Sequence, residues 1–299
     1  MYEKIYIRFS NCEQILIEIW VMKGKVIRII SSQYTVLTDK GIYSCPVRKR
    51  IYSFRPCVGD LVEVEEFNGE YVISNVYERK NYLIRPRISN IDKCYIVVSN
   101  EPEPDFILVD KLIINCLYEG IDICIVGNKT DIKKIDLSEY EKLYPVYYVS
   151  AYTGEGMEQL LKSMSGNICA IAGQSGVGKS SLINYILGDD RIKTDNISEH
   201  ISRGKHTTRH IEIYSINDAY VVDTCGFSIL DTVNIKPENL KNYYEDFEPY
   251  SSKCEFSSCR HLNEKNCEVK KEVGKNISQA RYDRYIKILN ELIEKSKYN

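Results

Sequence analysis

The sequence predicts a multi-domain chain: a small N-terminal β-barrel, a central parallel α/β sheet with helices on its faces, and a mostly helical C-terminal module held by a metal. Three observations predict it. Five short alternating runs separated by turn signals fall within residues 25–77. From residue 81 onward, apolar runs of strand length alternate with amphipathic segments of helix length. Three cysteines and a histidine then crowd into the polar stretch 254–267.

The barrel strands are expected at 26–30, 34–37, 42–45, 61–64 and 71–76, with turns at Asp39-Lys40-Gly41, Val58-Gly59-Asp60 and Asn68-Gly69. Five short strands in so little chain point to an OB-fold. Arg48-Lys49-Arg50, with Arg55, is expected on a solvent-facing barrel loop; RNA contact and simple solvation of a turn are both open there. Residues 1–23 form an extension that is harder to read. Residues 15–21 have the texture of an extra strand, yet Met22-Lys23-Gly24 offers a second plausible start. The expected domains are thus the extension 1–23, a barrel 24–78, an α/β domain 79–231 and a C-terminal domain 232–299.

In the middle domain, strands are expected at 94–98, 121–126, 146–149, 168–172, 211–215 and 220–222, and helices at 106–118, 155–164 and after residue 180. Gly173-Gln174-Ser175-Gly176-Val177-Gly178-Lys179-Ser180 lies between a strand and Ser181-Leu182, the start of a helix. This is the phosphate-cradling P-loop: glycines let successive amide N–H groups and a helix N-terminus face phosphate oxygens. Lys179 adds a charge for the outer phosphates, and Ser180 is placed to ligate Mg²⁺.

Asn128-Lys129-Thr130-Asp131 ends another strand, where α/β proteins place ligands. A buried Asp131 carboxylate accepts the N1–H and 2-amino group of guanine, a pair adenine lacks. Ser150-Ala151 follows the next strand, where guanine O6 meets a backbone amide. Downstream, Asp223-Thr224-Cys225-Gly226 supplies an aspartate for the Mg²⁺ shell and a Gly226 amide for the γ-phosphate. Between them, 203–210 reads as a switch loop in which Thr207 or Thr208 completes Mg²⁺ coordination. His206 is a candidate for orienting water, its alternative being a solvated loop histidine.

The order of these motifs carries information. In ordinary GTPases the P-loop comes first and the guanine motif late; here Asp131 precedes Lys179, which precedes Asp223. The chain is therefore expected to be a circularly permuted GTPase, which relinked termini permit. Phe227 stands where many small GTPases carry a water-orienting glutamine, so slow intrinsic hydrolysis is expected.

In the tail, Cys254-x4-Cys259-x-His261-x5-Cys267 is a Cys₃His set suited to one structural zinc, lending stability to a segment expected to be too small for its own core. Beyond it, 277–295 has helical apolar spacing, for packing on the body or on a partner. Lys270, Lys271 and Lys275 either touch RNA or solubilise the surface.

Composition narrows the class. The 299 residues include 11 cysteines, an odd total in a chain with no export signal, so metal or burial rather than a disulfide framework is expected. No apolar run reaches membrane-spanning length, and a cytoplasmic protein is expected. The net charge of −2 hides +2 flanks: residues 1–80 carry 12 Lys+Arg against 10 Asp+Glu, and 232–299 carry 13 against 11. Global charge alone predicts no nucleic-acid partner.

Together these residues resemble the RsgA family of circularly permuted small-subunit biogenesis GTPases. The resemblance runs from about Lys23 to Tyr285 and includes Val58-Gly59-Asp60, Arg79-Lys80-Asn81, Arg85-Pro86, Asn90-Ile91-Asp92, the guanine motif, the P-loop, Lys205-His206-Thr207-Thr208, Gly226-Phe227 and the Cys₃His spacing. It implies a monomer that binds GTP or GDP with Mg²⁺, and docks on the 30S subunit and its 16S rRNA late in maturation, alongside other maturation factors. It also implies that the subunit stimulates hydrolysis. Three departures stand out: Cys225 where the family has proline, Arg209 where a third threonine is common, and residues 1–21, which have no counterpart and read as an over-called start. The alternatives are a GTP-dependent RNA- or protein-binding switch acting elsewhere, and an RNA-binding module with a degenerate nucleotide site.

Overall fold

A computed structural model describes residues 2–7, 17–48, 55–84, 86–188, 211–216, 218–224 and 235–297, with backbone alone at 2–7, 17–19, Phe67, Asp223 and Thr224. Strands β1 (Tyr2–Ile7), β2 (Ile17–Ile30), β3 (Gln33–Thr38), β4 (Gly41–Cys45), β5 (Leu61–Phe67) and β6 (Glu70–Val76) come first. The short β7 (Tyr82–Leu83) and β8 (Ile88–Ser89) precede β9 (Lys93–Val98), α1 (Phe106–Glu119), β10 (Asp122–Gly127), α2 (Ser138–Glu141), β11 (Val146–Tyr148) and α3 (Met157–Met164). After them come β12 (Ile168–Gly173), α4 (Lys179–Leu187), β13 (Ile211–Ile216) and β14 (Ala219–Thr224). Helices α5 (Glu248–Ser251), α6 (Glu268–Glu272) and α7 (Gln279–Ser296) complete the tail.

The chain divides into two compact units, the first comprising Met1–Asp92, Met164–Ala170 and Asp195–Cys225. Strands β2, β3 and β4 form an antiparallel meander, and β5 pairs with both β2 and β6. The curl closes where Val47 bridges Ile73: the Arg48 N–H donates to the Ile73 carbonyl at 3.0 Å and the Ile73 N–H to the Pro46 carbonyl at 2.9 Å. Alternation turns Met22, Val26, Val36, Val62, Val64 and Ile73 into one buried core, as a small barrel requires.

The first barrel strand is longer than its sequence suggests. Expected from residue 26, it begins at Ile17 and runs through residues 23 and 24 without a break. Trp20 through Lys25 pair with Glu66 through Leu61, and β1 pairs antiparallel with its first half. Gly24, read with Met22 and Lys23 as a possible start, lies inside this strand, where its role is steric: a Cβ there would lie 2.4 Å from the Val36 side chain.

The basic cluster at the closure is partly committed. Arg48 makes a two-pronged ion pair with Glu65 rather than facing solvent freely, while Lys49 and Arg50 lie outside the described residues.

The motifs at 58–60, 79–81 and 90–92 form one clasp. The Asp60 carboxylate is fully buried and takes both Arg79 Nε (2.7 Å) and Nη2 (2.8 Å), the Cys57 N–H (2.7 Å) and the Ser89 hydroxyl (2.6 Å). Gly59 has φ +92°, and a Cβ would sit 2.1 Å from the Ser89 carbonyl oxygen. Asn81 exchanges hydrogen bonds with the Ile91 backbone, and Asp92 accepts the Ile168 N–H at 2.8 Å. Strand β12 leads in parallel beside β14, which forms a hairpin with β13.

The second unit comprises Lys93–Ser163, Ile171–Thr194 and Gly226–Asn299. Its strands β9, β10 and β11 run parallel, and β9 and β10 are apolar and buried almost throughout, as sheets covered on both faces are.

The tail shares a core with α1. Leu240, Tyr244, Phe247, Val269, Tyr285, Ile288 and Leu289 are buried together with Ile114 of α1. Above them lies a buried charge network. Asp110 on α1 accepts Arg281 Nη1 at 2.9 Å, Arg284 Nε at 2.6 Å and the Tyr140 hydroxyl at 2.9 Å. Arg281 also engages Asp246, and Arg284 reaches Glu139 at 2.8 Å. Helix α7 therefore packs back on the body. Replacing Asp110 by Ala leaves two guanidinium groups buried without their shared partner; we expect a loss of about 3–5 kcal/mol in unfolding free energy, measured by denaturant titration.

Candidate guanine-nucleotide site and metal centre

The phosphate loop is shaped by what surrounds its glycines. Gly173 ends β12 at φ +141°, where a Cβ would lie 2.3 Å from the Val97 carbonyl oxygen. Gly178 has φ +91°, and a Cβ there would meet Asn128 Nδ2 at 2.4 Å. Helix α4 begins at Lys179 with no side-chain cap, so its first N–H groups are left for a ligand. The Lys179 ammonium turns back onto the Gly173 and Gln174 carbonyls at 2.8 and 2.7 Å, and burial pushes its pKa down to about 8. Gln174 accepts the Asp105 N–H at the start of α1, Ser175 and Gly176 are exposed, Val177 is buried beneath the loop and Ser180 is half-buried.

The guanine motif braces this loop. Asn128, 2% exposed, donates to the Val177 carbonyl at 2.9 Å and accepts the Ala151 N–H at 3.3 Å. Lys129, at φ +63°, donates to the Gly176 carbonyl at 2.8 Å and the Glu101 carbonyl at 2.7 Å. Thr130 bonds Glu155. The buried Ser150 hydroxyl donates to Asp131 at 2.6 Å and receives the Tyr152 and Thr153 N–H groups.

Asn128, Lys129, Asp131, Ala151, Gly178 and Ser181 line one pocket of about 340 Å³. Asp131 and Ala151 both line it, the Ala151 N–H being held by Asn128. One expectation needs correction: Asp131 is exposed at the pocket's rim rather than buried. Selectivity there depends on a base covering the carboxylate. Two lining residues escaped sequence reading, Ile132 (59% exposed) and Tyr152 (90% exposed). The usable signal was position: each directly follows a motif residue.

Asp223 pairs with Glu212 in the β13–β14 hairpin, which fixes its backbone at the end of β14. Gly226, Cys225, Phe227, His206, Thr207, Thr208 and Arg209 lie outside the described residues.

The four predicted metal ligands come together. The ligand atoms of Cys254, Cys259, His261 and Cys267 all lie within 4.8 Å of one another. His261 Nδ1 is 3.7, 3.4 and 3.3 Å from the sulfurs of Cys254, Cys259 and Cys267. A tetrahedral ion about 2.3 Å from sulfur and about 2.0 Å from nitrogen requires roughly 3.5 Å between such atoms. The donor set therefore fits zinc. The thiols are not exposed, as their polar surroundings suggested: Cys259 and Cys267 are buried, Cys254 partly so. Burial and the nearby Lys241 hold the His261 pKa down to about 4, keeping the imidazole in its neutral, ligating form. Its other nitrogen, Nε2, meets the Ser251 hydroxyl at 3.1 Å, an outer partner that orients the ring.

A parallel sheet whose strand ends carry, in this order, a guanine motif and a P-loop defines a circularly permuted P-loop GTPase. The chain belongs to the RsgA GTPase family: the model of that description matches residues 76–233. The small ribosomal subunit biogenesis GTPase RsgA of Alkaliphilus metalliredigens is 40% identical over 290 residues, spanning 92% of this chain and 99% of the relative. Its counterpart in Clostridium beijerinckii is 36% identical over 291 residues with the same coverage. Among solved structures, YjeQ from Thermotoga maritima matches with a TM-score of 0.77 at 33% identity, covering 91% of this chain and 99% of that one. YloQ, described as a circularly permuted GTPase, matches at 0.74 and 27% identity, covering 97% and 99%.

Two outcomes follow from this geometry. Gly178→Ala drives a methyl group into Asn128, and we expect at least a tenfold loss of GDP affinity by calorimetry with the circular dichroism unchanged. Ser251→Ala removes the outer partner of His261, and we expect zinc affinity to fall about 10–100-fold in a chelator competition.

Proposed function

We propose that this protein hydrolyses GTP to GDP and phosphate as a factor in late maturation of the 30S ribosomal subunit, working as a monomer. The observation that carries the reading is the coupling of Asn128 to Val177 and Ala151, which brings base-reading and phosphate-holding segments to one pocket; family membership supports the 30S assignment.

In the proposed site Asp131 reads guanine N1–H and the 2-amino group, and the Ala151 amide meets O6. The Lys129 stem lies along the base. The amides of 174–180 and the N-terminus of α4 hold the phosphates, with Lys179 leaving its loop carbonyls for phosphate oxygens. Ser180, Asp223 and one of Thr207 and Thr208 hold Mg²⁺, which neutralises charge on the outer phosphates when bound. The Gly226 amide meets the γ-phosphate. With Phe227 unable to orient water, His206 or a group from the subunit supplies the missing polar contact, so turnover is expected to be slow in isolation. The proposed domains are a barrel that ends at residue 78 and whose first strand takes in the end of the extension 1–23, a GTPase domain over 79–231 and a zinc domain over 232–299.

Two experiments test this. GTP turnover measured against 30S concentration is expected to rise at least tenfold for the wild type and much less for His206→Ala; a rate indifferent to subunits removes the 30S role and leaves a switch acting elsewhere. Asp131→Asn replaces an acceptor by a donor toward the base's 2-position, so we expect GTP affinity to drop about 100-fold or more and xanthosine triphosphate, with a carbonyl there, to bind in its place.

A further inference from the structure

A second hollow, of about 660 Å³, lies wholly within the first unit, against the outside of the barrel. Its chemistry is unlike that of the guanine pocket. Met22 and Val26 point into the barrel core, so Lys23 and Lys25, on the intervening positions of β2, point out into the hollow. They stand two residues apart on one strand face, roughly 6.6 Å between Cα atoms. Tyr77, following β6, and Tyr220, on β14 opposite Ser215, supply two rings. Leu37 and Leu61 form apolar wall.

Each ammonium rests on a ring: Lys25 Nζ lies 3.6 Å from the Tyr220 centroid and Lys23 Nζ 5.0 Å from that of Tyr77. Lys25 is half-buried and, among the described residues, has no hydrogen-bond acceptor on its ammonium. Its burial disfavours the charge, and the Asp92 carboxylate compensates only in part. Asp39, which is exposed, also lines the hollow. Two cations held over aromatic faces, one of them poorly solvated, form a receptor for an anion. A bare phosphate would occupy a small part of such a volume and leave the rings and leucines uncovered.

We propose that this hollow binds a nucleotide unit, with its phosphate on Lys23 and Lys25 and its base on the ring of Tyr77 or Tyr220. An arriving phosphate draws the ammonium groups off the rings, and the faces they vacate accept the base, as in sites for unpaired nucleic acid. The chemistry is shared by a free mononucleotide and an unpaired nucleotide of an RNA strand; the spacing of the two lysines along β2 allows contact with successive phosphates. This site is separate from the P-loop and does not depend on the GTPase reading.

The test uses the full chain with saturating GDP, so that the P-loop is occupied. Binding of fluorescein-labelled hexaadenylate RNA is followed by anisotropy at several salt concentrations, and binding of AMP by calorimetry. We expect the Lys23→Gln/Lys25→Gln variant to bind the RNA at least tenfold more weakly, with a salt slope shallower by about 1.4, two phosphate contacts' worth. AMP binding lost in the same variant would assign the hollow to free nucleotide. Leu61→Trp fills the hollow while keeping both charges and is expected to weaken binding as well. Equal binding of both probes by wild type and double variant, or binding of neither, overturns the proposal. So does full affinity in Leu61→Trp, which would make the lysines a diffuse surface charge. GDP affinity, measured alongside, reports folding and the P-loop independently.

Discussion

The nucleotide half of this molecule depends on one carboxamide. Asn128 is buried, and its two polar ends hold the Val177 carbonyl and the Ala151 amide, so three loops that are distant in sequence share one fixed point. A buried amide left unpaired is penalised by its lost hydration, which makes the arrangement nearly all-or-none. Such bonds depend on position in space and are indifferent to chain order. That is the physical reason a permuted chain keeps a working arrangement: the relinking moved the ends and left the contacts.

Much of this was legible because chemistry imposes spacing. The glycines of the P-loop, the guanine motif and the Cys₃His set each require fixed residue types at fixed separations, and the structure brings the described members of each set together. What escaped reading was decided by partners far along the chain. Trp20 to Lys25 look ambiguous alone and become strand by pairing with Glu66 to Leu61. Asp131 looks destined for burial by its role, whereas exposure is set by a ligand that sequence patterns do not contain. Tyr152 carries no motif of its own and is found at the pocket only once Ser150-Ala151 is placed.

Charged residues gave the least away. Arg281 and Arg284 fall on a helix whose apolar spacing is easily seen, yet both are buried against Asp110, a residue of an otherwise apolar helix face. Asp60 likewise reads as a turn residue and instead forms, with Arg79, the interior of the clasp that joins three motifs. The Cys₃His cluster of the tail module is held by the same logic: Tyr282 and Tyr285 of α7 donate to the His261 and Arg260 carbonyls, tying the ligand loop to the helix that carries the two arginines. The Cys₃His loop, α7 and α1 are thereby linked in one continuous set of bonds.

The first unit is discontinuous, and this has a bearing on how the protein is made. Arg28 on β2 lies opposite Glu212 on β13, so its sheet includes partners separated by more than half of the chain. Contacts of such separation form slowly because a long loop must first be closed. During synthesis the barrel strands emerge early, but their neighbours on β13 and β14 exist only after the P-loop has been translated. A truncated or stalled chain therefore exposes an unpaired edge of β2, the kind of surface that recruits chaperones or other copies of itself.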